Sequence, residues 1–219
     1  MRSFDGVSSQ IADATGAVGA AVSETTRALD HLLGGVAQSA DALKQAENRI
    51  NAVVQVGETL LGYTADTHVE TDDSAFVRIA KDGAARISEI FNDAVQSGAL
   101  TVGALFDRDY KPIAGTNPQQ FTAAFTEFTD RTLRALQDAV LELDPRIISA
   151  AAVDARGYLP THNTKLSQPQ RSDPDWNAAN SRNRRIFDDR VGRAAAGNTA
   201  PFLLQTFRRN LGGGFMMMK

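Results

Sequence analysis

The chain has 219 residues, 42% of them hydrophobic and 22% charged, which fits a folded protein and excludes a disordered or low-complexity one. It has no cysteine, which excludes disulfides, thiolate metal sites and cysteine nucleophiles and fits a cytosolic setting. A net charge of −3 hides an asymmetry: residues 1–144 carry 11 basic against 21 acidic groups, residues 145–219 carry 12 against 5, and a C-terminal part at +7 suits anion binding or internal Arg–Asp pairing.

The N-terminus MRSFDGVSSQ lacks the apolar core of a signal peptide, and no uncharged apolar run approaches the roughly 20 residues that span a bilayer. Residues 1–62 read as a coiled-coil-like helical stem. Small or apolar residues recur every three or four positions, from Phe4, Val7 and Ile11 to Ile50, Val53 and Leu60. Gly34-Gly35 is its weak point. A continuous rod is expected over a hairpin, because no Asn, Asp or Pro accompanies the glycines. An Ala-rich seam buries little alone, so a homodimer through the stem is expected.

Residues 63–74, polar and acidic, read as a linker. A helix follows from about Ala75 to Ser97, with Phe76, Ile79, Ile87, Ile90 and Phe91 on its apolar face and Gly98 closing it. Residues 99–117 read as a packed loop with one helical turn around Leu105. Asn117-Pro118 then reads as the start of a helix reaching about Glu142, with Phe121, Phe125, Phe128 and Leu133 on its buried side.

Ile147–Val153 reads as a buried strand, Arg156-Gly157 as a turn, and Tyr158–Thr161 as a second strand that Pro160 marks as an edge. A polar loop leads to a short helix opened by Pro174. Beyond it Arg182, Arg184, Arg185, Arg190 and Arg193 crowd around Ile186-Phe187 and Asp188-Asp189, with room for another helical turn. Phe202–Arg208 reads as a strand, Asn210–Gly214 as a turn and Phe215–Met218 as the start of a further strand. An apolar edge strand is a liability, so a chain cut before its last strand is expected. The fold class is α+β: a helical stem at 1–62, a linker at 63–74 and an antiparallel sheet with flanking helices over 75–219.

The segments LFDRDYKPIAGTNPQQF (105–121), GYLPTHN (157–163), SQPQ (167–170), NSRNRRIFDDRVG (180–192) and PFLLQTFRRNLGGG (201–214) resemble the C-terminal sensory region of bacterial methyl-accepting chemotaxis proteins. The stem segment IADATGAVGAAVSETTRALD resembles, less specifically, their signalling coiled coil. The resemblance implies a PAS/Cache-like sensory domain over 75–219, truncated at its C-terminal strand. It also implies a bacterial, cytoplasmic protein at receptor clusters on the inner membrane that couples to a chemotaxis kinase and adaptor. The Asn/Ala/Glu/Arg-rich hairpin tip that docks the kinase in chemoreceptors is not in this sequence, so kinase coupling is implied by family alone.

Candidate ligand-binding residues are Tyr158, His162 and Asn163 on the second hairpin strand, and Arg182, Arg184 and Asp188 in the Arg/Asp segment. Guanidinium forks suit a carboxylate or phosphate, and Asp188 suits an amine. Each also has a structural reading, as a core residue or an internal ion pair. No cofactor is expected; a lone His162 without a supporting pattern does not make a haem ligand, and no metal-spaced cluster is visible. No nucleophile–base constellation or phosphate-binding glycine loop stands out, so no enzyme is expected, and RNRR without a recognition fold does not indicate nucleic acid. The functional expectation is a chemoreceptor-type sensor that binds a small ligand and relays a conformational change through helices. The alternative is a non-catalytic adaptor whose Arg-rich segment binds an acidic partner.

Overall fold

A computed structural model of the chain describes residues 2–66, 70–210 and 215–218. The chain divides into two compact units, Met1–Gly57 and Glu58–Lys219.

The first unit is helical. Helix α1 (Arg2–Asp66) crosses it without a break at Gly34-Gly35, as the rod reading expects, and its last turns belong to the second unit. It runs four residues into the expected linker. Its apolar seam stays open: Ile11, Val18, Leu32, Leu43 and Val53 are all more than 60% exposed. Thr15, Thr25, Thr26 and Ser39 return their hydroxyls to carbonyls four residues back, which satisfies them along an exposed helix.

The second unit is mixed α and β. Helix α2 (Ser74–Gln96) ends as expected at Gly98, whose φ of 76° needs a residue without Cβ. Helix α3 (Val102–Leu105) is the turn anticipated around Leu105, and the Thr101 side chain accepts the Ala104 N–H to start it. Its strands are short. Strands β1 (Lys111–Pro112) and β2 (Phe121–Thr122) pair, as do β3 (Tyr158–Leu159) with β4 (Arg185–Ile186) and β5 (Phe207–Asn210) with β6 (Phe215–Met218), all antiparallel. The described strands thus form separate two-stranded pairs and not one sheet.

Three sequence expectations are corrected. The helix placed from Pro118 begins only at Thr126, as α4 (Thr126–Thr132), and continues after a break at Leu133 as α5 (Arg134–Leu141). Residues 117–121 are drawn instead into long-range bonds: Asn117 N–H donates to Gln170 Oε1 at 2.7 Å, and Phe121 N–H to the Arg184 carbonyl at 2.6 Å. Residues 147–153 form no strand, because Ala150 N–H is taken by the Asn163 side chain at 2.7 Å. The partner of β3 therefore comes from the Arg/Asp segment, with Tyr158 opposite Ile186 and Leu159 opposite Arg185. The strand expected from Phe202 starts only at Phe207, as β5. The turn expected at 210–214 lies, beyond Asn210, outside the described residues.

Other local readings hold. Helix α6 (Pro174–Asn180) opens on Pro174 with Asp173 accepting the Asp175 and Trp176 N–H groups, and α7 (Arg190–Ala196) is the further helical turn, capped by Asp189. Gly157 sits at φ 79° where an added Cβ would overlap the Phe187 carbonyl.

The core joins Ala94, Leu100, Phe125, Phe128 and Tyr158, with Phe91, Leu105, Tyr110 and Ile186 packed around them. Tyr158 is fully buried at its centre, 4.9 Å from the Tyr110 ring and edge-on to Phe125 at 5.9 Å. Its hydroxyl lies 3.0 Å from the Phe121 carbonyl and 2.8 Å from Thr126 Oγ1, so this buried oxygen is satisfied.

Candidate ligand site

A half-open cavity of about 240 Å³ lies in the second unit. Phe91 of α2, Leu105 and Phe106 at the end of α3, Phe125 and Leu133 around α4, and Ala152, Val153 and Pro160 make its walls largely apolar. Asp107, Arg108, Thr129 and Asp154 supply the polar groups. Both carboxylates are already engaged. Asp107 accepts the Asp109 and Ala124 N–H groups at 3.0 and 2.8 Å, and these bonds hold its pKa low. Asp154 accepts the Arg156 and Tyr158 N–H groups and the Tyr110 hydroxyl, whose pKa rises through burial and this carboxylate. Arg108 has no carboxylate partner among the described residues, so it is the rim charge left for a ligand.

Behind Thr129 stands a polar node. Thr129 Oγ1 lies 3.0 Å from Thr161 Oγ1, which donates to Asp130 at 2.6 Å. Asp130 also receives Arg134 at 2.6 Å and Arg184 at 2.8 Å. The Arg184 backbone is as constrained as its side chain. It holds φ 60°, donates its N–H to the Leu159 carbonyl and accepts the Phe121 N–H, so it ties β3 to β2. A non-glycine residue in the left-handed region is costly and persists because these contacts over-determine it. Arg184 is therefore a strut whose charge is taken by Asp130 and does not face the cavity lining.

The other sequence candidates separate. Tyr158 belongs to the core. Asn163 is fully buried and saturated: its Nδ2 donates to the Gln137 carbonyl at 2.7 Å and its Oδ1 accepts Ala150 N–H. His162, 3% exposed, accepts the Asn163 backbone N–H on Nδ1 at 2.8 Å, where the structural reading of this imidazole has it bonded to a backbone carbonyl. Burial, with the charges of Arg182 and Arg209, pushes its pKa down to about 3, so the ring is neutral. Asp138 beside it has a lowered pKa. Burial acts to raise it and is outweighed by bonds from the Thr164 hydroxyl and N–H and from Asn163, and by the Arg134 charge. Asp188 is exposed. Arg182 packs on Phe187 near His162. None of the six sequence candidates lines the cavity.

Sequence reasoning missed Asp130, Thr129, Thr161 and Arg209. Thr126 and Thr129 recur at the helical spacing of Phe125 and Phe128, a signal for buried hydroxyls that could have located the node; Arg209 carries no local signal.

The end of α1 is held within this unit. Glu58, its side chain 10% exposed, takes Arg190 of α7 at 3.2 Å and the Thr206 N–H at 2.7 Å. Among the described residues no cluster of three or more His, Asp or Glu could hold a metal ion, and no helix is long and apolar enough to cross a membrane. No protein family, curated protein or solved structure matches the chain.

Proposed function

We propose that the chain is a non-catalytic sensory module of chemoreceptor type: a small, largely apolar ligand binds in the second unit, a PAS/Cache-like sensor, and the change is relayed to helix α1. The observation that carries this reading is the 240 Å³ cavity, walled by three phenylalanines and rimmed by Arg108. A cavity of about 150 Å³ already admits benzene, so the space suits a ring-sized molecule with an acidic or acceptor group. The Glu58 bonds supply a route, since any shift of α7 or of the chain before β5 acts on the last turns of α1. The open α1 seam supports a homodimer, and the sequence resemblance supports chemotaxis as the setting. The adaptor alternative needs its Arg-rich segment open to an acidic partner; Arg184 and Arg190 are spent on Asp130 and Glu58, and Arg182 and Arg185 are half-buried, which weighs against it.

The test is a ligand screen on the full chain with aromatic acids, amino acids, organic acids and haem, followed by thermal shift. Binding to the folded state alone raises Tm. A response is expected that Ala152→Trp, which fills the cavity, abolishes. Hydrogen exchange over residues 50–66 should change on binding. A ligand that binds without altering that exchange, or a panel with no response, would defeat the reading.

A further inference from the structure

Half of the buried or half-buried arginines described in the second unit have found an acid: Arg134 and Arg184 share Asp130, and Arg190 takes Glu58. Three have not. Arg182 precedes β4, Arg185 lies on it and Arg209 lies on β5, and among the described residues no carboxylate comes within ion-pair distance of any of them. Arg182 and Arg185 both stack on the Phe187 ring, 4.8 and 5.1 Å from its centroid. Both point a terminal nitrogen at one acceptor, the Ala178 carbonyl, at 3.4 and 3.3 Å. Arg209, 8% exposed, makes one 3.3 Å bond to Ser149 Oγ.

These bonds are long and few for groups that each carry five donors. The Nε atoms of Arg182 and Arg209 are buried without any partner among the described residues. The charges also feel one another. Burial, and then the charges of Arg209 and Arg185, push the Arg182 pKa down to about 9. Asp189, the acid that opposes this, spends Oδ1 on the Gly192 N–H as the cap of α7. His162 alongside is neutral and adds no negative charge. Buried charge without a counter-charge is costly, and a guanidinium fork is shaped for a planar or tetrahedral oxyanion.

We propose that Arg182, Arg185 and Arg209 form a binding site for a small oxyanion, a carboxylate or a phosphate, separate from the apolar cavity. The anion supplies the missing counter-charge and takes the free guanidinium donors, so it joins the segment before β4 to β5. The occupant is a small ion and not a protein surface, because Arg209 is buried and the other two are half-buried, which leaves little for a protein surface to grip. The site stands independently of the sensory reading.

The experiment follows thermal unfolding of the full chain by the fluorescence of its single tryptophan, Trp176, with inorganic phosphate, succinate or sodium chloride at matched ionic strength. A saturable rise in Tm is expected with phosphate or succinate and not with chloride, and which of the two binds more tightly names the source. Arg182→Gln and Arg209→Gln should each weaken that binding about tenfold or more. Each should leave the Tm of the anion-free protein unchanged or raised, since a repelling charge is gone. Arg182→Lys keeps the charge without the fork and should bind with intermediate strength. Ala152→Trp in the cavity should leave the anion response intact. The proposal is overturned if neither anion gives a saturable shift, or if both glutamine variants keep the full response. It is also overturned if a hexaglutamate peptide binds where the small anions do not, which would make the cluster a docking surface.

Discussion

His162 gives the second unit a stability that depends on pH. The ring is 3% exposed, and burial, reinforced by the Arg182 and Arg209 charges, brings its pKa from 6.5 down to about 3. The folded state therefore refuses a proton that the unfolded chain accepts below 6.5. The stabilisation is present above that value and is lost as the pH falls through the window from 6.5 to about 3. With those two values, unfolded-state protonation destabilises the fold by about 2 kcal/mol at pH 5 and by about 0.2 kcal/mol at pH 7. The lowered carboxylates Asp107, Asp138 and Asp144 act below their ordinary 3.8, so the interval from pH 7 to 5 isolates the imidazole. Urea unfolding followed by Trp176 fluorescence at pH 7, 6 and 5 in chloride buffer reads the effect on this unit. The wild-type protein should lose about 2 kcal/mol between pH 7 and 5, and His162→Gln should lose almost none. Equal slopes for the two proteins would refute the buried neutral imidazole. So would a proton titration of His162 near 6 in the folded state.

Asp130→Asn leaves Arg134 and Arg184 without their shared carboxylate; these side chains are 30% and 33% exposed, so the cost is set below that of a fully buried pair, at about 2–3 kcal/mol by urea unfolding. A cost under about 0.5 kcal/mol would place the node outside the stability of the unit. Gln137 is 2% exposed with both side-chain amide atoms unpartnered among the described residues, so Gln137→Met should raise stability by about 1 kcal/mol, and a fall would show that the amide is satisfied by something else. Nothing lies within 4 Å of a Cβ added at Gly34 or Gly35, so Gly34→Ala and Gly35→Ala should each stabilise α1 by about 1 kcal/mol, read as raised helicity on heating; a loss would reveal a close partner at that point.

Part of the candidate site was legible before the fold was known. The crowd of arginines announced a charge problem, and the structure divides it: Arg184 and Arg190 are neutralised, while Arg182 and Arg185 are not. The sequence ranks these side chains alike because a guanidinium reads the same whether its acid is near or absent. Arg184 meets an aspartate 54 positions away, and Arg209 joins the cluster from a strand that no local pattern links to it. The cavity was not legible, because its lining comes from five separate stretches of chain whose apolar residues read only as core.

The sequence by itself determined the elements whose bonds are local. Helix α1, helix α2, the turn around Leu105, the Pro174 helix and the Gly157 turn close their hydrogen bonds within a few residues, so spacing, caps and glycine conformation suffice. Only the tertiary structure decided which strands pair. The spacing from Phe121 to Phe125 and Phe128 suits a helix, yet Phe121 gives its N–H to Arg184 and joins a strand. Ile147–Val153 has the composition of a strand and finds no ladder, since Asn163 takes the Ala150 donor. Strand pairing exchanges bonds between distant residues, and its outcome depends on which donors and acceptors the rest of the fold leaves free.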